Sequence, residues 1–490
     1  MNKLNFAQAL VTELFNDESG NLKNKTAFNI EGTEFSYGLF TQATLDYYYY
    51  FQQKGVIEAS VVGVSASRPM TQQAMFMALV LLGCTSFRLD VVAEKFKGFI
   101  KPTHIFIVPF DNDISYEKFI GGDVFIDIIK HPDNGVLTKE GASNLLPNFS
   151  SRNEDEKICI YKATSGTTGR SNLVPLTYGM ISERTSPSII SDCTSPVHIG
   201  FNPISIIFIL SIFRNLRRFG ETIISKNVNL IQNKSQSIIA APYTALEICK
   251  RFSPTDNRMQ VLQLGGGKMN QSKIINLLEK HFHKVVDSYG CTESGHIMKT
   301  VYILDDDKLD VSQKISNGVE IQAPNGSTVE ESGEIGFRTT SMAQGYIGDT
   351  SSTANFFRNG WFYSGDQGYM DNQSMLHIVG RDSDVVNLGG DKFDLNGIDY
   401  MLKGVEGVED IAAFTLENDA VMSLGVAVVC DAETQRHIVF DRIREKILQL
   451  SGMLKGEYVR IYPVTGIKLN QHGKISRHDL KKTLSNSGFH

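Results

Sequence analysis

The chain has 490 residues, of which 41% are hydrophobic, and its formal net charge at pH 7 is −6. This length allows a large buried core and predicts more than one domain. The mild negative charge excludes a broad electrostatic attraction to nucleic acid or to anionic membranes. The six cysteines lack the Cys-x-x-Cys spacing of a zinc site, which predicts free thiols in a reducing compartment and a cytoplasmic location.

Strand-like and helix-like segments alternate along the chain, a rhythm typical of α/β architecture with largely parallel sheets. The N-terminus lacks the apolar core of a signal peptide. The longest apolar run, 204–213, is shorter than the roughly 20 residues that cross a bilayer. The predicted elements are an N-terminal amphipathic helix, a hairpin at 27–35 turning at Glu31-Gly32, a strand at 61–64, a helix at 70–82, a strand at 104–108, a strand at 157–161, a buried strand or core helix at 204–213, a strand at 237–240, a helix opened by Pro242 and a strand at 259–264.

A second kind of organisation begins near residue 380 with the compact polar turn Gly380-Arg381-Asp382-Ser383-Asp384. Shorter segments follow, which predict a helix at 396–403, strands at 410–414 and 423–429, and a long helix at 432–450. We therefore expect a large N-terminal domain over 1–380 and a small α+β domain over 381–490.

The most informative stretch is the loop 164–174, which reads Thr-Ser-Gly-Thr-Thr-Gly-Arg-Ser-Asn-Leu-Val. Its backbone N–H groups and hydroxyls suit an anion, and it follows a predicted strand end, where nucleotide phosphates bind. It is not a Walker A loop, because no Gly-Lys-Ser/Thr closes it. Taken alone, it could also be an ordinary surface connection.

Four further clusters have both a chemical and a structural interpretation. Three glycines after a strand allow a flat ligand to lie on bare backbone, or they form a tight turn. An aromatic, a hydroxyl and a carboxylate at a strand end can bind base, phosphate and Mg²⁺, or they cap the turn. An aspartate after glycine can hold ribose hydroxyls or cap a turn, and a lysine in a late turn can act in catalysis or only solubilise the surface. The four clusters are Gly265-Gly266-Gly267, the segment 285–293 (VVDSYGCTE), the segment 360–366 (GWFYSGD) and the segment 470–475 (NQHGKI).

Together, and in this order, these stretches resemble the adenylate-forming superfamily of acyl-CoA synthetases, nonribosomal-peptide adenylation domains and firefly-type luciferases. The resemblance implies an α/β fold with a large N-terminal domain of several subdomains and a small mobile C-terminal domain. It also implies an ATP-dependent acid–thiol ligase, which forms an acyl-adenylate and passes the acyl group to coenzyme A or to the phosphopantetheine of an external carrier protein. Neither nucleic acid nor an integral membrane segment is expected.

The resemblance also implies roles for individual residues. The β- and γ-phosphates of ATP would be held by Thr164, Ser165, Gly166, Thr167, Thr168 and Gly169. Adenine would lie between Gly265, Gly266, Gly267 and Tyr289, with Asp287 and Gly290 beside it. Thr292 would contact the α-phosphate, Glu293 would hold Mg²⁺, Asp366 with Arg381 would bind the ribose, and Lys474 would bridge the acid and the α-phosphate. Ser383 would be the hinge, and Gly389-Gly390 would line the thiol tunnel.

Two departures from the family pattern bear on function. Asn172 stands where most members carry a lysine that neutralises the outer phosphates, and Arg170 could substitute for it. The segment after Pro203 has no histidine of the acyl-CoA synthetase type and no aspartate of the amino-acid-activating type. We therefore expect an apolar acid, with a pocket lined by Ile204, Ile206 and Ile207. The alternatives are a degenerate nucleotide-binding scaffold or sensor, a stand-alone amino-acid-adenylating domain and a light-emitting oxygenase.

Overall fold

The structure is a computed structural model. It describes residues 6–17, 19–66, 68–89, 99–108, 124–129, 155–164, 172–203, 205–254, 257–267, 269, 271–306, 308–325, 333–381, 385–388, 391–418, 421–431, 435–450, 459–467, 477, 480 and 484.

The elements of the first 200 residues are α1 (Phe6–Phe15), α2 (Asn21–Asn24), β1 (Thr26–Ile30), β2 (Thr33–Ser36), α3 (Tyr37–Gln53), β3 (Val61–Ala66), α4 (Pro69–Leu82), β4 (Thr85–Arg88), β5 (His104–Val108), β6 (Phe125–Ile128), β7 (Ile158–Thr164), β8 (Asn172–Thr177), α5 (Tyr178–Arg184), a 3₁₀ turn (Pro187–Ile190) and β9 (Val197–Gly200). The next elements are α6 (Ile206–Leu216), β10 (Thr222–Ile224), α7 (Val228–Lys234), β11 (Ser237–Ala240), α8 (Pro242–Cys249), β12 (Met259–Gly265), α9 (Gln271–Lys280), β13 (Phe282–Cys291), β14 (Gly295–Asp305), β15 (Lys308–Ile315), β16 (Val319–Gln322), β17 (Gly333–Thr339), α10 (Thr350–Phe356), β18 (Phe357–Arg358), β19 (Trp361–Met370) and β20 (Leu376–Arg381). The last elements are β21 (Val385–Leu388), β22 (Asp391–Asp394), α11 (Leu395–Leu402), β23 (Val408–Asn418), β24 (Val421–Cys430), α12 (Arg436–Leu450) and β25 (Val459–Pro463).

Two large sheets dominate the N-terminal part and confirm the α/β prediction. One has the strand order β15-β14-β13-β12-β11-β9-β10-β1-β2 and the other β6-β5-β3-β4-β7-β8. The inner strands pair in parallel, whereas β2, β8, β14 and β15 are antiparallel additions at the edges. One core cluster contains residues of both sheets together with α3, α4 and α6. Every residue of α4 from Met70 to Leu82 is buried.

A third sheet, formed by β16 to β20, packs beside the β13–β14 hairpin. Its core residues contact Tyr289 and Cys291 of β13, and the ring of Phe337 lies 5.6 Å from that of Tyr289. This packing brings the end of β13 next to β19, so two predicted clusters meet that are more than 70 residues apart in sequence.

The C-terminal part contains the sheet β23-β24-β25, which packs against α11 and α12. This confirms a small α+β unit at the end of the chain, whereas the boundary at 380/381 stays a prediction. The long helix begins at Arg436 and not at 432 as predicted. Arg477, which follows the predicted lysine turn in the sequence, forms an ion pair of 2.7 Å with the buried Asp399 of α11.

Two local predictions can be compared directly with the structure. The hairpin at 27–35 forms, and its turn residues Glu31 and Gly32 have positive φ values of 49° and 92°. Glycine adopts a positive φ without strain, which explains Gly32 at the second position of the turn. Residues 206–213 of the apolar run belong to the helix α6, whose N-terminus is capped by the Ser205 side chain. None of the described helices combines the length and apolar character needed to cross a lipid bilayer.

Candidate functional site

The predicted phosphate loop connects β7 to β8. Thr164 and Asn172 face each other across this antiparallel pair and close the base of the loop. The Thr164 hydroxyl donates to the Asn172 carbonyl at 3.4 Å. Because β7 is parallel to β4, the loop leaves the carboxyl end of a parallel strand, the usual position of a nucleotide site. The residues within the loop, Ser165, Gly166, Thr167, Thr168 and Gly169, lie outside the described residues.

Asn172 occupies the position where the resemblance expects a lysine. Its side chain is buried, with 6% of the residue exposed, and it hydrogen-bonds to the Tyr346 hydroxyl. The next residue is also tied to this segment, since the amide of Ile347 donates to the Leu173 carbonyl at 2.8 Å. The first residue after the loop, Asn172, therefore contributes a neutral side-chain amide, and position 172 supplies no positive charge.

The predicted YGCTE cluster forms the end of β13 and the tight turn into β14. Gly290 pairs with His296 across this hairpin. A Cβ atom at position 290 would overlap the carbonyl oxygen of Gly295 and approach the Cα of His296. The backbones of the two strands approach each other so closely that only glycine fits at this position.

Gly290→Ala is therefore expected to lower the free energy of unfolding by about 3 kcal/mol, because the hairpin must open to accept the methyl group. Urea unfolding measures this change. Gly466→Ala is the matched control, because a Cβ there would have no neighbour within 4 Å and the backbone φ is ordinary. Equal stability of the two variants would contradict the close approach at Gly290.

Glu293 lies in the turn itself and is buried. Its Oε1 accepts a hydrogen bond of 3.0 Å from the Tyr346 hydroxyl, whereas its Oε2 is buried without a hydrogen-bond partner among the described residues. Burial and the Glu293 charge raise the pKa of Tyr346, so its hydroxyl stays protonated and remains a donor. Tyr346 is itself held by its amide, which donates to the Thr353 hydroxyl at 2.9 Å. The carboxylate is thus oriented through one oxygen, and the other is left for a ligand.

Arg184, the last residue of α5, holds the turn that contains Thr292 and Glu293. Its guanidinium donates to the carbonyl of Thr292 at 2.7 Å and to that of Glu293 at 3.1 Å, and also to the carbonyl of Ser341. Burial lowers the pKa of Arg184 to about 10, and the charges of Cys291 and Glu293 oppose that shift. No local sequence pattern points to this residue, because a single arginine in a helix acquires the role only through tertiary packing. The same holds for Tyr346, whereas Ser364 lies within the predicted segment 360–366.

The third sheet contributes Asp366, which is buried. Its Oδ2 accepts hydrogen bonds from the Tyr289 hydroxyl and from the Ser364 hydroxyl at 2.7 Å. Burial, followed by the charge of Asp366, raises the pKa of Tyr289, so the phenol remains a donor. In the register of the β19–β20 pair, Arg381 is the backbone partner of Asp366. Predicted nucleotide-binding residues from two clusters are thus brought together.

The glycine cluster lies at the end of the neighbouring strand. Gly265 pairs with Ser288 on β13, and Asp287 pairs with Leu264. A Cβ built on Gly265 would lie 3.3 Å from the Cδ1 of Ile207, one of the predicted pocket residues. Gly266 has a φ of 76°, a value that favours glycine, and Gly267 follows it. These residues therefore line one sheet edge together with Tyr289 and Glu293.

Several predicted residues lie outside the described part of the chain. They are Lys474, Ser383, Gly389, Gly390, Ile204 and Arg170. Within the described part, no three His, Cys, Asp or Glu side chains converge as a metal group.

A mainly parallel α/β fold, whose sequence has a hydroxyl-rich loop after β7, a glycine cluster after β12 and buried carboxylates at Glu293 and Asp366, defines the class of adenylate-forming enzymes. The chain belongs to the AMP-binding enzyme family, which residues 102–347 match, half of its length.

Sequence relatives in this family are acid–CoA ligases. The chain is 26% identical over 230 residues to a 2-succinylbenzoate–CoA ligase of Listeria monocytogenes, a match that covers 46% of each protein. It is 28% identical over 272 residues to the putative acyl–CoA ligase YdaB of Bacillus subtilis, covering 51% of this chain and 53% of the relative. It is 25% identical over 323 residues to a feruloyl-CoA synthase of an Amycolatopsis species, covering 57% and 61%. The chain thus spans about half the length of the relatives it matches.

Solved structures match nearly the whole chain and show its fold. The amide bond synthetase McbA from Marinactinospora thermotolerans matches with a TM-score of 0.76 at 16% identity. The match covers 98% of this chain and 99% of the McbA chain. The o-succinylbenzoate CoA synthetase MenE from Bacillus subtilis, bound to a product analogue, has a TM-score of 0.76 at 18% identity and covers 98% of both chains. ATP-bound MatB from Rhodopseudomonas palustris has a TM-score of 0.66 at 19% identity and covers 99% of both.

Proposed function

We propose that this protein activates a carboxylic acid with ATP to an acyl-adenylate and then transfers the acyl group to a thiol. The observation that carries this proposal is the buried Glu293 carboxylate, with one oxygen oriented by Tyr346 and the other unpartnered within the described residues. A buried carboxylate oxygen without a donor is costly unless a cation completes it. The family membership and the acid–CoA ligase relatives support the same activity.

The residues at Glu293 fit a magnesium ion. Mg²⁺ binds hard oxygen ligands and commonly takes one or two carboxylates plus substrate phosphates, and a single acidic side chain next to the phosphate loop meets that requirement. When bound, Mg²⁺ supplies charge neutralisation of the triphosphate. The chain's own contribution is to fix Glu293 through Tyr346, and to fix the turn through Arg184.

The nucleotide would lie along the sheet edge that carries the clusters. In this proposal Gly265, Gly266, Gly267 and Tyr289 flank the adenine, and Asp287 and Gly290 lie beside it. Asp366 and Arg381 bind the ribose, and the Tyr289 and Ser364 hydroxyls keep the Asp366 carboxylate in place. Thr292 contacts the α-phosphate. Its backbone carbonyl accepts a hydrogen bond from Arg184, which holds the turn in position.

The reaction joins two anions, because the carboxylate of the acid attacks the α-phosphorus of ATP. Repulsion between these charges opposes the approach, and negative charge grows on the α-phosphate and on the departing pyrophosphate. A cation aimed at that position stabilises the transition state without a covalent bond. Lys474 is proposed for this role. Arg477, three residues further on, forms an ion pair with Asp399 of α11 and donates to the carbonyl of Ala413 on β23. Rotation of that unit about Ser383 would then bring Gly389-Gly390 to the thiol.

The acid is proposed to have an apolar body. Ile207 and Phe201 both lie against Gly265 at the carboxyl end of β12, which gives this part of the site an apolar wall. The acceptor is proposed to be coenzyme A or an external carrier protein, as the CoA-ligase relatives suggest.

The direct experiment measures pyrophosphate release by the purified protein with ATP, Mg²⁺ and a panel of fatty, aryl and amino acids. At least one fatty or aryl acid is expected to stimulate release well above the rate without acid, and added coenzyme A or carrier protein is expected to consume the adenylate. If ATP binds and no acid stimulates release, the ligase proposal fails. Stimulation by amino acids alone would indicate a stand-alone amino-acid-adenylating domain.

A second candidate is a nucleotide-binding scaffold without turnover, and the neutral, inward-held Asn172 favours it. Lys474→Ala separates the two candidates. In a ligase, this substitution is expected to lower acid-dependent pyrophosphate release about a hundredfold, because one preorganised cation is lost from the transition state. ATP affinity should change little. Equal and negligible release by the wild type and the variant would support the scaffold.

A further inference from the structure

Helix α6 carries a buried arginine without an acidic partner. Arg214 is 7% exposed, and its Nε donates to the carbonyl of Arg184 at 2.7 Å. No carboxylate in the described part of the chain pairs with it. Burial and the neighbouring charge of Arg184 lower its pKa to about 9. A buried cation without a counter-charge is unfavourable, so the site would gain from an anion supplied by a ligand.

Two more polar atoms near Arg214 are unpartnered among the described residues. Ser211 lies one turn earlier on the same face of α6, and its buried hydroxyl has no hydrogen-bond partner. The Nε2 of His296 is likewise buried without a partner, while its Nδ1 lies 2.5 Å from the Ser316 hydroxyl. Burial, followed by the charges of Arg214 and Lys299, lowers the pKa of His296 to about 3, so its imidazole is neutral.

The groups near Arg214 are connected through the fold to the place where the acid is proposed to bind. Ile207, two turns before Arg214 on α6, lies against Gly265. Arg214 bonds the carbonyl of Arg184, whose guanidinium donates to the carbonyl of Glu293 at 3.1 Å. His296 lies on β14, the strand that follows the Glu293 turn. Helix α6 thus runs from the apolar wall at Gly265 to donors near this turn.

Helix capping accounts for only part of Arg214. Its Nε satisfies the last carbonyl of α5, as a cation at a helix C-terminus often does. Arg217 already serves this helix end, since it donates to the Ser182 carbonyl at 2.7 Å and to the Thr185 hydroxyl at 2.9 Å. Lys299, the other nearby cation, is neutralised by Asp192. Capping therefore does not explain why Arg214 carries an uncompensated charge.

We propose that Arg214, with Ser211 and His296, binds a second anionic group of the acid, so that the substrate is a dicarboxylate with an apolar body. This inference rests on the ligase activity proposed above. One carboxylate is activated at the α-phosphate, and the other accepts hydrogen bonds from the guanidinium, the Ser211 hydroxyl and the imidazole N–H. Charge-assisted hydrogen bonds of this kind recognise a carboxylate specifically, and a neutral analogue would leave the donors unpaired.

The test compares matched acids that differ only in the second carboxylate. Pairs such as 3-(2-carboxyphenyl)propanoate with 3-(2-methylphenyl)propanoate, and octanedioate with nonanoate, cover different separations of the two groups. With wild-type protein, kcat/KM for pyrophosphate release is expected to be about 30-fold or more higher for at least one diacid than for its matched monoacid. Monoacids that react as well as every diacid would overturn the inference and leave the ligase proposal intact. If no acid stimulates release, the ligase proposal itself fails.

Arg214→Gln then identifies the residue responsible. Its diacid-to-monoacid ratio is expected to fall towards one, mainly through the KM of the diacid, while the KM for ATP is unchanged. Arg217→Gln is the matched control, because it removes a guanidinium from the same helix and should retain the wild-type ratio. An unchanged ratio in Arg214→Gln would assign the preference elsewhere and overturn the inference. If Arg214→Gln does not fold, Arg214→Lys, which keeps the charge but loses the fork of donors, must show a reduced ratio.

Discussion

Glu293→Gln is expected to reduce acid-dependent pyrophosphate release by about a thousandfold, which is the upper end of the range for losing one transition-state electrostatic contact. Glutamine has the same shape and can still accept the hydrogen bond from Tyr346. What the variant loses is the negative charge on the oxygen that has no partner among the described residues. The defect should therefore lie in metal-dependent nucleotide handling and not in folding.

Three measurements separate these effects. Release is followed as a function of Mg²⁺ concentration, ATP binding is measured calorimetrically with and without Mg²⁺, and thermal unfolding reports stability. For wild type, Mg²⁺ should strengthen ATP binding, and for Glu293→Gln that gain should largely disappear. Glu183→Gln is the control, because Glu183 is the other glutamate whose charge acts on Arg184, yet it is exposed. A variant that retains both release and the Mg²⁺ effect would show that Glu293 only orients the turn.

Sequence patterns predicted the local backbone features of the candidate clusters, while the roles of their residues stay predictions. The YGCTE segment is a strand running into a tight turn, and its glycine is required by the approach of the Gly295 backbone. The strand before the phosphate loop is predicted from its apolar run at 157–161, and it is β7. In each case the pattern is contained in a short continuous segment, so the local sequence carries the information.

Contacts between distant segments could not be read in this way. Tyr346 reaches Glu293 across 53 positions and Arg184 reaches Glu293 across 109, and neither residue belongs to a recognisable local pattern. Asn172 was recognised as a departure from the family pattern, but only the structure shows its side chain held against Tyr346. The apolar run at 204–213 was ambiguous between strand and helix because every position in a fully buried element can be apolar. The polar residues of α6, Ser211 and Arg214, gain a proposed function only together with His296.

Arg184→Met is expected to lower the free energy of unfolding by about 3 kcal/mol or more and to abolish acid-dependent release. Methionine fills much of the same volume but donates no hydrogen bond, so the carbonyls of Thr292, Glu293 and Ser341 lose the same donor group at once. Each buried carbonyl left without a donor costs about 1–3 kcal/mol. Urea unfolding measures the stability, and pyrophosphate release is measured at a temperature where the variant remains folded.

The comparison with Arg217→Met and Arg184→Lys shows whether the turn, and not only the fold, depends on this guanidinium. Arg217 also bonds the end of α5 but does not reach the turn, so its loss should cost stability while release persists. Lysine at 184 keeps the charge, yet its compact ammonium cannot span three carbonyls in the way that a planar guanidinium does, and its activity should fall between the two. If Arg184→Met keeps wild-type release after correction for the folded fraction, Thr292 and Glu293 hold their positions without it. Arg184 would then be a structural residue of the core, and the support for Glu293 would have to come from Tyr346 and the backbone hydrogen bond from Ala343 alone.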